Sequence, residues 1–173
     1  MGRVIIVAML LISAIAGGAV YYLQVYAYYE EVQADADAVK LTSTITGLAE
    51  PLAVDNFLGI DAASSPLRYR ACFETSVSQA ELAETYVVVD NNEPRIAPAW
   101  FDCFDAARIG ADLQAEAVAF MGIRDVQYGI DRIVAIYPDG RGYAWHEINP
   151  CGEIVFEGSP PPQGCPPLPE SSD

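Results

Sequence analysis

No phosphate-binding glycine loop, no HExxH and no GxSxG occurs in this sequence, so the familiar signatures of nucleotide binding, zinc proteolysis and serine hydrolysis are missing. Histidine is nearly missing too: His146 stands alone, between Trp145 and Glu147. A Ser-His-Asp relay would have to use it, and a lone histidine in a strand-like run reads as a hydrogen-bonded structural residue rather than a general base. Basic residues are scarce, nine against 24 acidic ones, for a formal charge of −15. A field of that sign repels phosphates and anionic headgroups, which excludes nucleic acid as an expected partner and allows a basic protein. The same charge has a plainer role in keeping a domain soluble. The four cysteines show no CxxC spacing, which argues against zinc or thiol-redox chemistry. Asp35 with Asp37, and Asp90 with Glu93, lack the regular oxygen-ligand spacing of a calcium loop and read as solvated carboxylates. No catalytic residue, metal or cofactor is therefore assigned.

Charge is absent altogether from Val4–Leu23, VIIVAMLLISAIAGGAVYYL. About 20 residues at ~1.5 Å rise match a hydrocarbon layer of ~30 Å, so the segment predicts one membrane-spanning helix. Arg3 precedes it, whereas every acidic residue follows Tyr29. That asymmetry places the N-terminus in the cytoplasm and the remainder outside. Tyr21, Tyr22, Tyr26, Tyr28 and Tyr29 crowd the far end, where amphipathic rings settle at the headgroup level and mark the interface. The alternative is a cleaved signal peptide with Ala14-Ile15-Ala16 as its small-x-small site. Against it, the apolar run continues past that site to the tyrosines. No cysteine sits near the end of the segment, which excludes a lipoprotein anchor. Ser13 with Gly17 and Ala14 with Gly18 are small-xxx-small pairs, the pattern that lets a second helix approach closely.

Cys72, Cys103, Cys151 and Cys165 all lie on the deduced outer side, where oxidised structural pairs are expected. Four cysteines allow three connectivities. A Cys151–Cys165 bridge closing the short Gly152–Gly164 excursion is favoured, which leaves Cys72 with Cys103.

After a charged juncture at Glu30–Asp37, the β-branched run Val39–Thr46 reads as a strand, and Leu67–Thr75 alternates like another. Ser78-Gln79-Ala80-Glu81 has capping-box spacing, which predicts a short helix to about Tyr86. Asp90–Pro98 reads as loop. The clearest helical pattern of the domain runs from about Asp105 to Met121, with Ile109, Leu113, Ala117, Phe120 and Met121 on one face. Arg132–Tyr137 and Tyr143–Ile148 flank Pro138-Asp139-Gly140-Arg141-Gly142, a hairpin signature. Ile154–Phe156 suggests a further strand, and the proline-rich end cannot pair in a central strand. Arg68 and Arg70 alternate with Tyr69 and are expected to pair with internal acids or to grip a partner carboxylate. The reading is an α+β chain: residues 1–29 an N-terminal transmembrane anchor, 30–158 a domain with an antiparallel sheet covered by one main helix, and 159–173 an extended tail.

Four stretches, YYLQVYAYYEEV, PLRYRACFE, PAWFDCFDAARIGADL and YGIDRIVAIYPDGRGYAWHEIN, together resemble an uncharacterised alphaproteobacterial family from the purple photosynthetic and marine groups. Its members are single-pass, periplasm-facing membrane proteins carrying a domain of unknown function, sometimes mislabelled a histidine kinase. The resemblance implies an inner-membrane protein whose domain faces the periplasm, and it supplies no catalytic residue. The kinase label conflicts with the absent nucleotide motifs and with a cytoplasmic part reduced to Met1–Arg3. The expected role is a non-catalytic accessory subunit or assembly factor of a larger inner-membrane complex, with respiratory and photosynthetic electron transport as candidate systems. Its expected partners are the lipid bilayer and other membrane-protein subunits. The alternative is an acidic binding module recruiting a basic soluble protein such as a c-type cytochrome; an envelope enzyme of unfamiliar type is the third reading.

Overall fold

The computed structural model describes residues 2–169. Helix α1, Gly2–Tyr22, runs on through a π-helical turn at Leu23–Ala27, giving 26 continuous helical residues of which none is buried. At ~1.5 Å per residue that is on the order of 40 Å, enough for the hydrocarbon layer and part of the headgroup zone. Only Tyr28 and Tyr29 separate this helix from strand β1, Glu30–Val32.

Strand β1 is the edge of a six-stranded sheet ordered β1-β4-β5-β8-β7-β6, with β4 at Asp55–Asp61, β5 at Arg70–Glu74, β6 at Val118–Gln127, β7 at Ile130–Ile136 and β8 at Arg141–Ile148. Every pairing in it is antiparallel. Strands β2, Lys40–Thr42, and β3, Ala49–Pro51, form a separate ribbon. Successive residues of the central strands divide between two apolar clusters. Ala71, Phe73, Phe120, Val134, Ile136 and Ala144 join one, while Cys72, Met121, Ile133, Ala135 and Trp145 join the other. Period-two alternation sends neighbours to opposite faces, so both faces of this sheet are buried. That is why IVAI and AFM read as unbroken apolar runs. Leu41 of β2 and Leu82 of helix α2, Gln79–Thr85, cover the first face. Phe101, Phe104 and Ile109 of helix α3, Ala106–Asp112, cover the second.

The predicted hairpin is β7–β8, closed by Tyr137 N–H donating to the Arg141 carbonyl at 2.9 Å, with Gly140 at φ +88°. Helix α2 starts on the predicted cap: the Ser78 hydroxyl accepts from Glu81 N–H at 3.2 Å. The helix expected over Asp105–Met121 stops at Asp112, however, and residues from Val118 belong to β6. The sequence pattern had joined a helical turn to a strand. Phe120 and Met121, seemingly on one helical stripe, enter opposite clusters. The strand expected at Ile154–Phe156 is instead the end of helix α4, Pro150–Phe156. Asn149 accepts from Gly152 N–H at 3.0 Å and Pro150 occupies the first turn, a start signal that the short apolar run obscured. Gly152 lies against the Gly129 backbone, where a Cβ has no room. The predicted Val39–Thr46 strand contracts to β2, and strands β1, β3 and β4 are additions to the expected set. Residues 157–169 hold no helix or strand, and the last four residues of the expected tail lie outside the described residues.

Disulfides join Cys72 to Cys103 and Cys151 to Cys165. The first spans 31 residues and pins an irregular loop to β5. Replacing Cys72 and Cys103 together by Ser is expected to lower the unfolding free energy by about 3–4 kcal/mol from chain entropy, read as a lower denaturant midpoint.

Candidate functional site

The end of an α-helix leaves carbonyls without partners, and here the domain supplies them. Trp100 Nε1–H donates to the Val25 carbonyl at 2.7 Å, and Arg68 Nη1–H donates to the Gln24 carbonyl at 3.4 Å. The Arg68 guanidinium also sits 5.5 Å from the centre of the Tyr29 ring, and a cation at this terminus meets the negative end of the helix dipole. Trp100 stacks on Tyr26 at 6.2 Å and meets Tyr29 edge-on at 5.7 Å. Tyr26 in turn stacks on Tyr22 at 5.9 Å and touches Tyr21 edge-on at 6.4 Å. Four of the five predicted interface tyrosines thus form one aromatic collar with Trp100; Tyr28 remains exposed outside it. Trp100 escaped the sequence reading because it lies 75 residues from its acceptor. The available signal was an interfacial type of residue in a loop without helical or strand periodicity.

The small residues Ser13, Ala14, Gly17 and Gly18 are all exposed, and a Cβ placed on Gly17 or Gly18 would meet nothing within 4 Å. Among the described residues, no part of the domain covers that face.

Beneath the collar lies a polar knot. Arg70, 3% exposed, donates to the carbonyls of Arg95 (2.7 Å), Leu67 (2.9 Å), Tyr69 (2.6 Å) and Ile96 (3.2 Å). The expected carboxylate partner is replaced by backbone, and burial lowers the Arg70 pKa to about 10. Just before β5 and facing the other way from Arg70, Tyr69 packs its ring against both the Arg132 guanidinium, 3.8 Å from its ring centre, and the His146 ring at 4.7 Å. Arg132 Nε–H donates to His146 Nε2 at 3.0 Å, which requires Nδ1 to carry the proton donated to the Pro66 carbonyl at 2.6 Å. Burial, and then the nearby Arg132 charge, push the His146 pKa down to about 4. Both ring nitrogens are engaged, so the side chain is a structural linchpin between β8 and the turn before β5. Asp35 accepts from Asp37 N–H at 2.9 Å and Asp37 pairs with Lys40 at 3.2 Å. Among the described residues no group of three or more His, Cys, Asp or Glu side chains converges as a metal site would require.

A family model matches residues 39–166, which is most of the chain and includes Arg68, Trp100, His146 and both disulfides. The chain belongs to DUF6446, a family of unknown function. No curated protein and no solved structure matches it significantly. The matched DUF6446 span begins after α1 and β1, so the side chains that receive the end of α1 fall within it while α1 itself falls outside. The apolar helix is a candidate membrane anchor, and the two disulfides point to an oxidising compartment.

Trp100→Phe keeps the aromatic stack and removes the donor; it is expected to cost about 1 kcal/mol, and to raise amide exchange over residues 24–30 relative to the sheet. The His146 effect has a definite sign. An unfolded histidine takes its proton near pH 6.5 and the folded one only near 4, so stability is retained above 6.5 and lost as pH falls toward 4. The loss is on the order of 3 kcal/mol. His146→Phe, which preserves the stack but cannot be protonated, is expected to flatten that part of a urea-midpoint profile.

Proposed function

We propose that the chain is a non-catalytic accessory subunit or assembly factor of a larger inner-membrane complex, anchored by α1 with its N-terminus in the cytoplasm and its domain in the periplasm. Respiratory and photosynthetic electron-transport assemblies are the candidate systems. The charge asymmetry about α1 supports the orientation. The observation that carries the reading is the seating of the helix end on the domain through Trp100 and Arg68. That seating holds the uncovered small-residue face of α1 and the periplasmic surface in fixed relation, as a subunit contacting its complex both within and above the bilayer requires.

A second reading, recruitment of a basic soluble protein such as a c-type cytochrome, is favoured by where the cations go. Arg70 and Arg132 turn onto internal carbonyls and His146, while Lys40, Arg108 and Arg141 pair with Asp37, Asp112 and Asp139. The surface is left strongly negative, which favours electrostatic steering.

Purification of the tagged full chain from native membranes in mild detergent, at low and at raised salt, separates the two readings. Integral membrane partners retained in fixed ratio at both salt concentrations are expected for a subunit. A basic soluble partner released by salt would move the assignment to recruitment, and a chain recovered alone under both conditions would count against both.

A further inference from the structure

A groove of about 630 Å³ opens beside the collar, between β4 and the loop that carries Trp100. Its size lies in the range of small-molecule sites, roughly 300–1,000 Å³. Leu58 and Ile60 belong to β4, yet Ile60 is 2% exposed and Leu58 is 58% exposed. The loop residues that bury the rest of this sheet face stop at Trp100–Cys103 and leave Leu58 bare. The strand also breaks register between Asp55 and Leu58, with Asn56 at φ +52°, an irregularity that adjoins the lining residues Phe57 and Leu58.

Two features select an occupant. The first is continuity with the collar: Trp100 lines the groove while also stacking on Tyr26 and donating to the Val25 carbonyl at the end of the apolar helix. The apolar floor and the interface-marking aromatics therefore share one side chain. The second is charge: the ionisable groups on the lining are Glu31 and Asp102, with no cation among them. Such a lining repels a phosphate headgroup.

We infer that the groove between β4 and the Trp100–Cys103 loop takes the hydrocarbon chain of an uncharged lipid drawn from the adjoining bilayer. The inference rests on α1 being a membrane anchor and is independent of whether the protein belongs to a complex.

Native mass spectrometry of the full chain in an uncharged detergent, titrated with dioleoylglycerol and with dioleoylphosphatidylglycerol, tests it. The expected result is one saturable adduct with dioleoylglycerol and at least tenfold weaker uptake of the anionic lipid. Leu58→Trp, which fills the groove, and Leu58→Asp, which charges it, should each weaken the adduct at least tenfold; Ile96→Asp, at an 86% exposed site outside the lining, should leave it unchanged. Intact disulfides and an unchanged circular dichroism spectrum identify a folded variant, and either Leu58 variant suffices. Equal uptake of both lipids, indifference to both Leu58 substitutions, or a dimer in place of the adduct would overturn the groove assignment. Alkaline carbonate extraction of native membranes separates the two levels. A chain that stays in the membrane but takes up no lipid sinks the groove alone, and a chain that extracts sinks the anchor and the groove together.

Discussion

The loop from Ala97 to Phe104 contains neither helix nor strand, yet it buries Phe101 and Phe104 on one face of the sheet and delivers Trp100 to the end of the N-terminal helix. Ordering such a segment costs roughly 1–2 kcal/mol of backbone entropy per residue, and a few aromatic contacts do not obviously offset that. Two neighbouring positions on β5 meet the cost. Arg70 and Cys72 are two residues apart and so project from the same face. Arg70 holds the entrance of the loop through the Arg95 and Ile96 carbonyls, and Cys72 holds its exit through Cys103. The position of Trp100, and through it that of the helix, depends on this pair of clamps.

The clamp at the entrance explains an arginine buried in a strand without a carboxylate. Its fork of donors reaches four carbonyls at once, which the compact ammonium of a lysine does not. A buried carboxylate would have needed its own desolvation offset, whereas backbone carbonyls left over by an irregular loop need a donor in any case. Arg132 and His146 repeat the pattern on the other face: they engage each other and the Pro66 carbonyl against the Tyr69 ring, and the one histidine remains neutral at ordinary pH. A buried imidazole with both nitrogens occupied is poorly suited to accept a substrate proton.

What was legible in the sequence is what rests on local chemistry. The length and purity of α1, the Ser78 cap, the Pro138–Gly142 turn and the short Cys151–Cys165 excursion each need only neighbouring residues to be read. The misreadings share a cause. A sheet buried on both faces loses its alternation, so Val118–Met121 looked like the last turns of a helix until its pairing with β7 was known. The three-residue apolar run at Ile154 looked like a strand because Asn149 and Pro150, which start the helix, sit outside it. Strands β1 and β4 carry acids, asparagine and glycine, and only their partners make them strands. The candidate site was half visible: the tyrosines announce themselves, while Trp100 and Arg68 act across 75 and 44 residues of chain, a separation on which periodicity is silent.

The shortness of the juncture gives the collar its consequence. With only Tyr28 and Tyr29 between the helix and a strand already paired to β4, the domain has little slack to swing about α1. The Trp100 and Arg68 hydrogen bonds remove what slack two residues allow. A flexible tether would let the domain explore a volume set by its length, and contacts made by the helix and by the domain would then be independent. A seated helix does the opposite: whatever fixes the rotation of α1 about its axis also fixes the direction in which each domain surface faces. Binding at one surface then raises the effective concentration at the other. The domain surface and the uncovered face of α1 therefore act as parts of one element.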